Sequence, residues 1–252
     1  MRIAIVTGAS SGIGQAAAVQ IAERDTGVVV TFNNNRPGAL ETVALIEKGG
    51  GQAVALPLDV SRTETFPVFR DDVAQVLKDK WQRETFDILI NNAGIGEAMP
   101  FEDTSEEMFD RLMRIHLKGP YFLTQTLLPL LADGGVIVNT TSGAALPTSV
   151  EPGYSVYGSM KGGLLVLTRY MAKELAKRGI RANSIAPGAT RTRLSDNAFD
   201  RFPEVIPPLV ANTALGRLGE PEDVGLAIAA LVSEEGRWIT AQDIEVSGGF
   251  GL

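Results

Sequence analysis

Ile3-Ala-Ile-Val-Thr-Gly-Ala-Ser-Ser-Gly-Ile-Gly14 is the stretch whose reading decides the fold. Ile3–Val6 is apolar on every residue, the mark of a strand covered on both faces. It runs straight into glycines at 8, 12 and 14, and a helical pattern follows over Gly14–Arg24. Glycines there allow a tight bend and a close backbone approach, while free N–H groups at a helix start bind a pyrophosphate. Three glycines alone also describe a plain strand-to-helix turn. Their position after the first strand of an alternating pattern favours the phosphate-binding reading.

Further short runs rich in Val and Ile follow at Val28–Phe32, Ala53–Leu58, Ile88–Ile90, Val136–Asn139, Arg181–Ile185 and Ile239–Val246. Between them helical patterns occupy Pro37–Lys48, Thr65–Arg83, Ser105–Leu131, Ser155–Arg178 and Glu222–Val232. Glu220-Pro-Glu-Asp223 is a good helix start, with acids facing the positive end of the dipole. The alternation predicts an α/β fold: a doubly wound parallel sheet of about seven strands flanked by helices. No linker or internal repeat divides the chain, so residues 1–252 read as a single domain. Gly188–Glu220 is the least regular region.

The formal net charge of −7 argues against nucleic-acid binding. With no cysteine, disulfides and thiolate metal sites are excluded, and no metal is expected. The apolar run at the start is too short for a signal peptide, and none elsewhere approaches a membrane span. The expectation is a cytoplasmic protein, mature from Met1, with no membrane partner.

Two further motifs follow in order. Asn91-Asn92-Ala93-Gly94 lies just after Ile88–Ile90, at the carboxyl end of a strand, where ligands of such sheets lie. Tyr157-Gly-Ser-Met-Lys161 puts a phenol and an ammonium on one helix face. With Thr7-Gly-x-x-x-Gly-Ile-Gly14 these motifs resemble the short-chain dehydrogenase/reductase family over residues 3 to about 249, a family with a Rossmann-like sheet. The resemblance implies an NAD(P)-dependent oxidoreductase moving a hydride between the nicotinamide and a carbonyl or secondary alcohol. The cofactor contacts it implies are Gly8, Ser10, Ser11, Gly12, Ile13 and Gly14 in the turn, Asp59 and Val60 at the adenine, and Asn92, Ala93 and Gly94. To these it adds Tyr157, Lys161, Pro187, Gly188 and Thr192 around the nicotinamide half. Ser142, fifteen residues before Tyr157, is expected to bind the substrate oxygen, Tyr157 to act as general acid/base and Lys161 to hold the ribose. A phenol with an ordinary pKa of about 10 has to be lowered toward neutrality for this role, by the lysine together with a nicotinium charge. A non-catalytic dinucleotide sensor on the same fold is the alternative.

One residue departs from the family pattern. His116, the sole histidine, stands where the family usually has asparagine, and reads either as a structural replacement or as a proton carrier. No acid occurs between Thr26 and Leu40, and Arg36 with Asn33 and Asn34 offers donors for a 2′-phosphate, so NADP is expected over NAD, with NAD possible. Residues 189–219 are expected to form a substrate lid, and Ala144, Leu146 and Tyr154 to line the pocket. Long, many-sided apolar helices, together with the resemblance, suggest a homotetramer.

Overall fold

A computed structural model describes all 252 residues, apart from the side chains of Thr148, Ser195, Asp196 and Ala198. Seven strands form one sheet: β1 (Arg2–Val6), β2 (Thr26–Phe32), β3 (Ala53–Pro57), β4 (Phe86–Asn91), β5 (Leu131–Thr140), β6 (Arg181–Pro187) and β7 (Asp243–Val246). Their order is β3-β2-β1-β4-β5-β6-β7, and every pairing is parallel. Strand order reverses between β1 and β4, so the loops at their carboxyl ends diverge and leave a crevice.

The continuous apolar runs are explained by burial on both faces. Ala4, Val6, Val28, Val30, Ile88, Ile90 and Val138 point to one side. That side is covered by α1 (Gly12–Ala22), α2 (Arg36–Lys48) and α9 (Pro221–Val232). Ile3, Ile5, Val29, Leu89 and Ile137 point to the other. There α3 (Phe66–Trp81), α5 (Gly119–Leu127) and α6 (Ser155–Glu174) pack. Helices α1 and α9 meet closely at Gly225, where a Cβ would lie 2.8 Å from the Ala16 backbone.

Three elements differ from the sequence expectation. The last strand is only Asp243–Val246, because Ala241 adopts φ +60°, which no strand tolerates. The expected helix Ser105–Leu131 is α4 (Glu106–Met113), a π-helical turn Arg114–Lys118 and then α5, after which a short 3-10 turn leads into β5 at Leu131. Pro120 accounts for the π turn. It has no N–H to give the carbonyl of His116, which breaks the i→i−4 ladder here, and the Gly119 N–H before it reaches back five residues to the carbonyl of Arg114. Finally, Gly188–Glu220 contains α7 (Leu194–Arg201) and α8 (Ile206–Ala211). The two ends of this excursion are pinned together by Arg191 N–H to Gly219 O, 2.8 Å, and Gly219 N–H to Ala189 O, 2.9 Å.

Candidate active site

The glycine turn is built for close approach. Gly8 and Gly12 have φ +64° and +57°. A Cβ on Gly8 would stand 2.8 Å from Ala93 Cα, and one on Gly14 would stand 2.4 Å from Gly8 O. Helix α1 starts at Gly12 with no side-chain cap from Ser11 and no acid in its first turn. Its N–H groups and positive dipole end are thus left for an anion. A dinucleotide pyrophosphate fits this cradle, flanked by Ser10, Ser11, Ile13 and, across Gly12, by Thr192, which a Cβ there would meet at 3.5 Å.

Thr7, quoted in the glycine motif but given no role there, and Asn35 hold this turn. Thr7 Oγ1 donates to Ile90 O at 3.1 Å and accepts from Asn92 N and Ala93 N at 2.8 and 3.0 Å. That ties the glycine turn to the Asn91–Gly94 turn. Asn92 Nδ2 donates back to Thr7 O at 3.0 Å. Asn35 caps α2 by accepting from Gly38 N and donates to Ser10 O at 3.2 Å. Its place directly before a helix start was the available signal. Asn33, Asn34 and Arg36 lie exposed around it, just past the carboxyl end of β2. Asp59 Oδ1 accepts from Ser61 N and Oγ, and Val60 O touches Gly119, so this segment is folded against the π turn. Gly188 is required by its own neighbours: a Cβ there would stand 2.8 Å from Ser247 Cβ.

At the carboxyl end of β5, Ser142 begins a short turn, its Oγ accepting from Ala144 N at 3.2 Å. Tyr157, in the first turn of α6, lies beside the Ser142 hydroxyl. Lys161, one turn further, is 4% exposed and donates from Nζ to Thr140 O at 2.7 Å. Its Nζ lies 5.7 Å from the Tyr157 ring centre. Burial pushes the Lys161 pKa down to about 7. Burial also raises the Tyr157 phenol, more than the Ser142 hydrogen bond lowers it. The lysine alone therefore does not lower the phenol in the cofactor-free protein; the expectation joined it with a nicotinium charge. In the free protein the desolvation of both groups wins, because each is taken out of water and the ammonium itself is weakened.

His116 projects from the π turn into the same group, edge-on to Tyr157 with ring centres 5.1 Å apart. Tyr154 stands on the outer side of Tyr157, 6.1 Å away and partly exposed. Ser142, Tyr157 and Lys161 therefore lie together at the carboxyl end of the sheet. Two hydroxyls and an ammonium there can bind a carbonyl oxygen and pass it a proton. Among the described residues, no cluster of three or more His, Asp or Glu side chains suits a metal ion.

The comparisons agree with this geometry. A family model described as enoyl-(acyl carrier protein) reductase matches residues 8–251. An uncharacterised oxidoreductase of Methylorubrum extorquens is 35% identical over 98% of this chain and 97% of its own. A hydroxynaphthalene reductase-like protein, Arp2, of Metarhizium majus is 32% identical over 98% and 94%. Among solved structures, the promiscuous reductase LugOII, which catalyses keto-reduction at C1 during lugdunomycin biosynthesis, superposes with a TM-score of 0.93 at 36% identity, covering 100% of this chain and 98% of that one. The landomycin C-6 ketoreductase LanV, with bound NADP and rabelomycin, gives 0.88 at 34%, covering 98% and 95%. The chain belongs to the short-chain dehydrogenase/reductase family. It is an NAD(P)-dependent oxidoreductase. Among the described residues no helix is long and apolar enough to cross a membrane.

Proposed function

We propose that this protein reduces a ketone with NADPH, with Tyr157 as the proton donor. The observation that carries the reading is the convergence of Tyr157, Ser142 and Lys161 at the mouth of the glycine cradle. Gly8, Ser10, Ser11, Gly12, Ile13 and Gly14 hold the pyrophosphate, and Asp59 and Val60 border the adenine. Asn92, Ala93, Gly94, Pro187, Gly188 and Thr192 enclose the nicotinamide half, and Lys161 binds its ribose. Hydride arrives from the nicotinamide at the carbonyl carbon. Ser142 steadies the oxygen and Tyr157 O–H supplies its proton. Residues 189–219 close over the substrate. Replacing Tyr157 with Phe removes that proton and little volume. Ketone reduction, followed by nicotinamide absorbance, is expected to fall at least about a hundredfold while NADPH binding persists; near-wild-type turnover would refute the assignment.

The preference for NADP rests on the exposed Arg36 in the first turn of α2, with Asn33 and Asn34 beside it and no acid nearby to repel a 2′-phosphate. LanV, of the same fold and family, binds NADP. Arg36→Ala is expected to lower the NADPH/NADH ratio of kcat/KM by roughly tenfold or more, the worth of one charge-assisted phosphate contact. A wild-type preference for NADH would defeat the reading.

For substrate, the partly exposed Tyr154 ring with Ala144 and Leu146 offers an apolar, aromatic wall beside Tyr157. Arp2 is named for a hydroxynaphthalene, and a ketone adjoining an aromatic ring is the class this wall suits. The homotetramer reading is supported by apolar side chains left uncovered on α5 and α6: Tyr121, Phe122, Val166 and Tyr170.

A further inference from the structure

We propose that His116 is a positioning residue whose ring couples the Asn92–Ile95 turn to Tyr157, and that Gly94 is the seat cut for that ring. His116 is 1% exposed. Its Nε2 lies 2.9 Å from Ile95 O. A carbonyl oxygen only accepts, so Nε2 carries the proton and Nδ1 the lone pair. Nδ1 is buried with no hydrogen-bond partner among the described residues. One side of the ring stands at 81° to Tyr157, and the other abuts Gly94, where a Cβ would lie 2.8 Å from Cε1 and 3.3 Å from Nδ1. The imidazole is therefore held at three points: a carbonyl of the turn, the bare Cα of Gly94 and the face of the phenol.

The charged and titratable groups facing it are Lys161 and Tyr157, both from α6. Burial and the Lys161 charge both disfavour an imidazolium there. The ring stays neutral, and its contribution is spacing and the Nε2–H bond, not proton transfer. The π turn delivers it. The extra residue in that turn widens the helix where His116 reaches inward. Any shift of the turn that borders the nicotinamide half is thus passed to the phenol that faces the substrate.

This rests on Tyr157 being the proton donor, and the test separates the two claims. His116→Leu keeps bulk and removes the donor; His116→Asn keeps an N–H able to reach Ile95 O and vacates the space of Cε1. Ketone reduction, NADPH affinity by fluorescence and melting temperature are measured for both, alone and with Gly94→Ala. A displaced phenol costs turnover steeply, so His116→Leu is expected to lower kcat about tenfold or more while NADPH affinity changes less than about threefold. His116→Asn keeps the donor but loses the ring contact with Tyr157, so it is expected to recover only part of the kcat lost in His116→Leu and to leave the pH profile in place. Gly94→Ala is expected to damage the wild type but to be relieved in the His116→Asn background, a coupling that two independent sites do not show. Equal activity of the Leu and Asn variants, additive effects with Gly94→Ala, or a limb of the pH profile that moves with His116 would each overturn the proposal. Should Tyr157→Phe stay active, the donor assignment fails. The Gly94–His116 coupling is still read in melting temperature and NADPH affinity.

Discussion

A lysine ammonium sealed beneath α6 is held against its preference for water, and that has a thermodynamic signature. Lys161 in the fold has a pKa of about 7, against 10.5 for the free side chain. Between those values the unfolded chain binds a proton that the folded chain does not, so folding stability should rise with pH across that window. Below about pH 7 both states are protonated and the burial penalty is present in full. Lys161→Met removes the penalty. The cofactor-free variant should be more stable than wild type at pH 7, by on the order of a few kcal/mol, and so melt higher, and its stability should stop rising between pH 7 and 9. Thermal melts at three pH values decide this; a variant that melts lower at pH 7 would show that the Nζ bond to Thr140 O outweighs desolvation. A residue that destabilises the fold it sits in is what a site built for chemistry is expected to contain.

At the scale of elements, the site depends on helix starts. Asn35 serves two of them, capping α2 through Gly38 N and anchoring Ser10 O ahead of α1. Asn35→Ala should cost about 1 kcal/mol of stability as a lost cap and, because it frees the Ser10 carbonyl, should raise the KM for NADPH more than it changes kcat. A lowered kcat at unchanged KM would place the effect elsewhere. The strands were legible because burial on both faces leaves runs of Val and Ile, and the glycine turn because its backbone cannot carry side chains. The ends of elements were less so. Ala241 carries nothing in its identity that announces a positive φ, so β7 looked longer than it is. The π turn was signalled only by Pro120, whose missing N–H acts on a carbonyl four residues back. Tyr157, Lys161 and Ser142 were readable as a motif. Their ionisation was not, because burial is a property of the packed whole.

Across the whole molecule, α5 and α6 leave apolar side chains facing outward. Tyr170 is 62% exposed and Val166 48%, on one face of α6. If that face is an interface between copies, Val166→Glu with Tyr170→Glu should lower the mass seen by light scattering at micromolar concentration, because a desolvated carboxylate at such a contact is costly. An unchanged mass, or a monomeric wild type, would remove α6 from the assembly.

The seam between β1 and β4 also has a consequence in time. Residues 2–57 contain β1, β2 and β3, which pair among themselves without any downstream strand. The next pairing closes a loop of eighty-four residues, sealed by Ile3 N–H on the Asp87 carboxylate. Loop closure of that length carries an entropic toll before any contact rewards it, which slows folding. A newly made chain therefore waits with the β1 edge unpaired until β4 emerges, and a dinucleotide seated across that seam, as proposed, would bridge the two halves it joins.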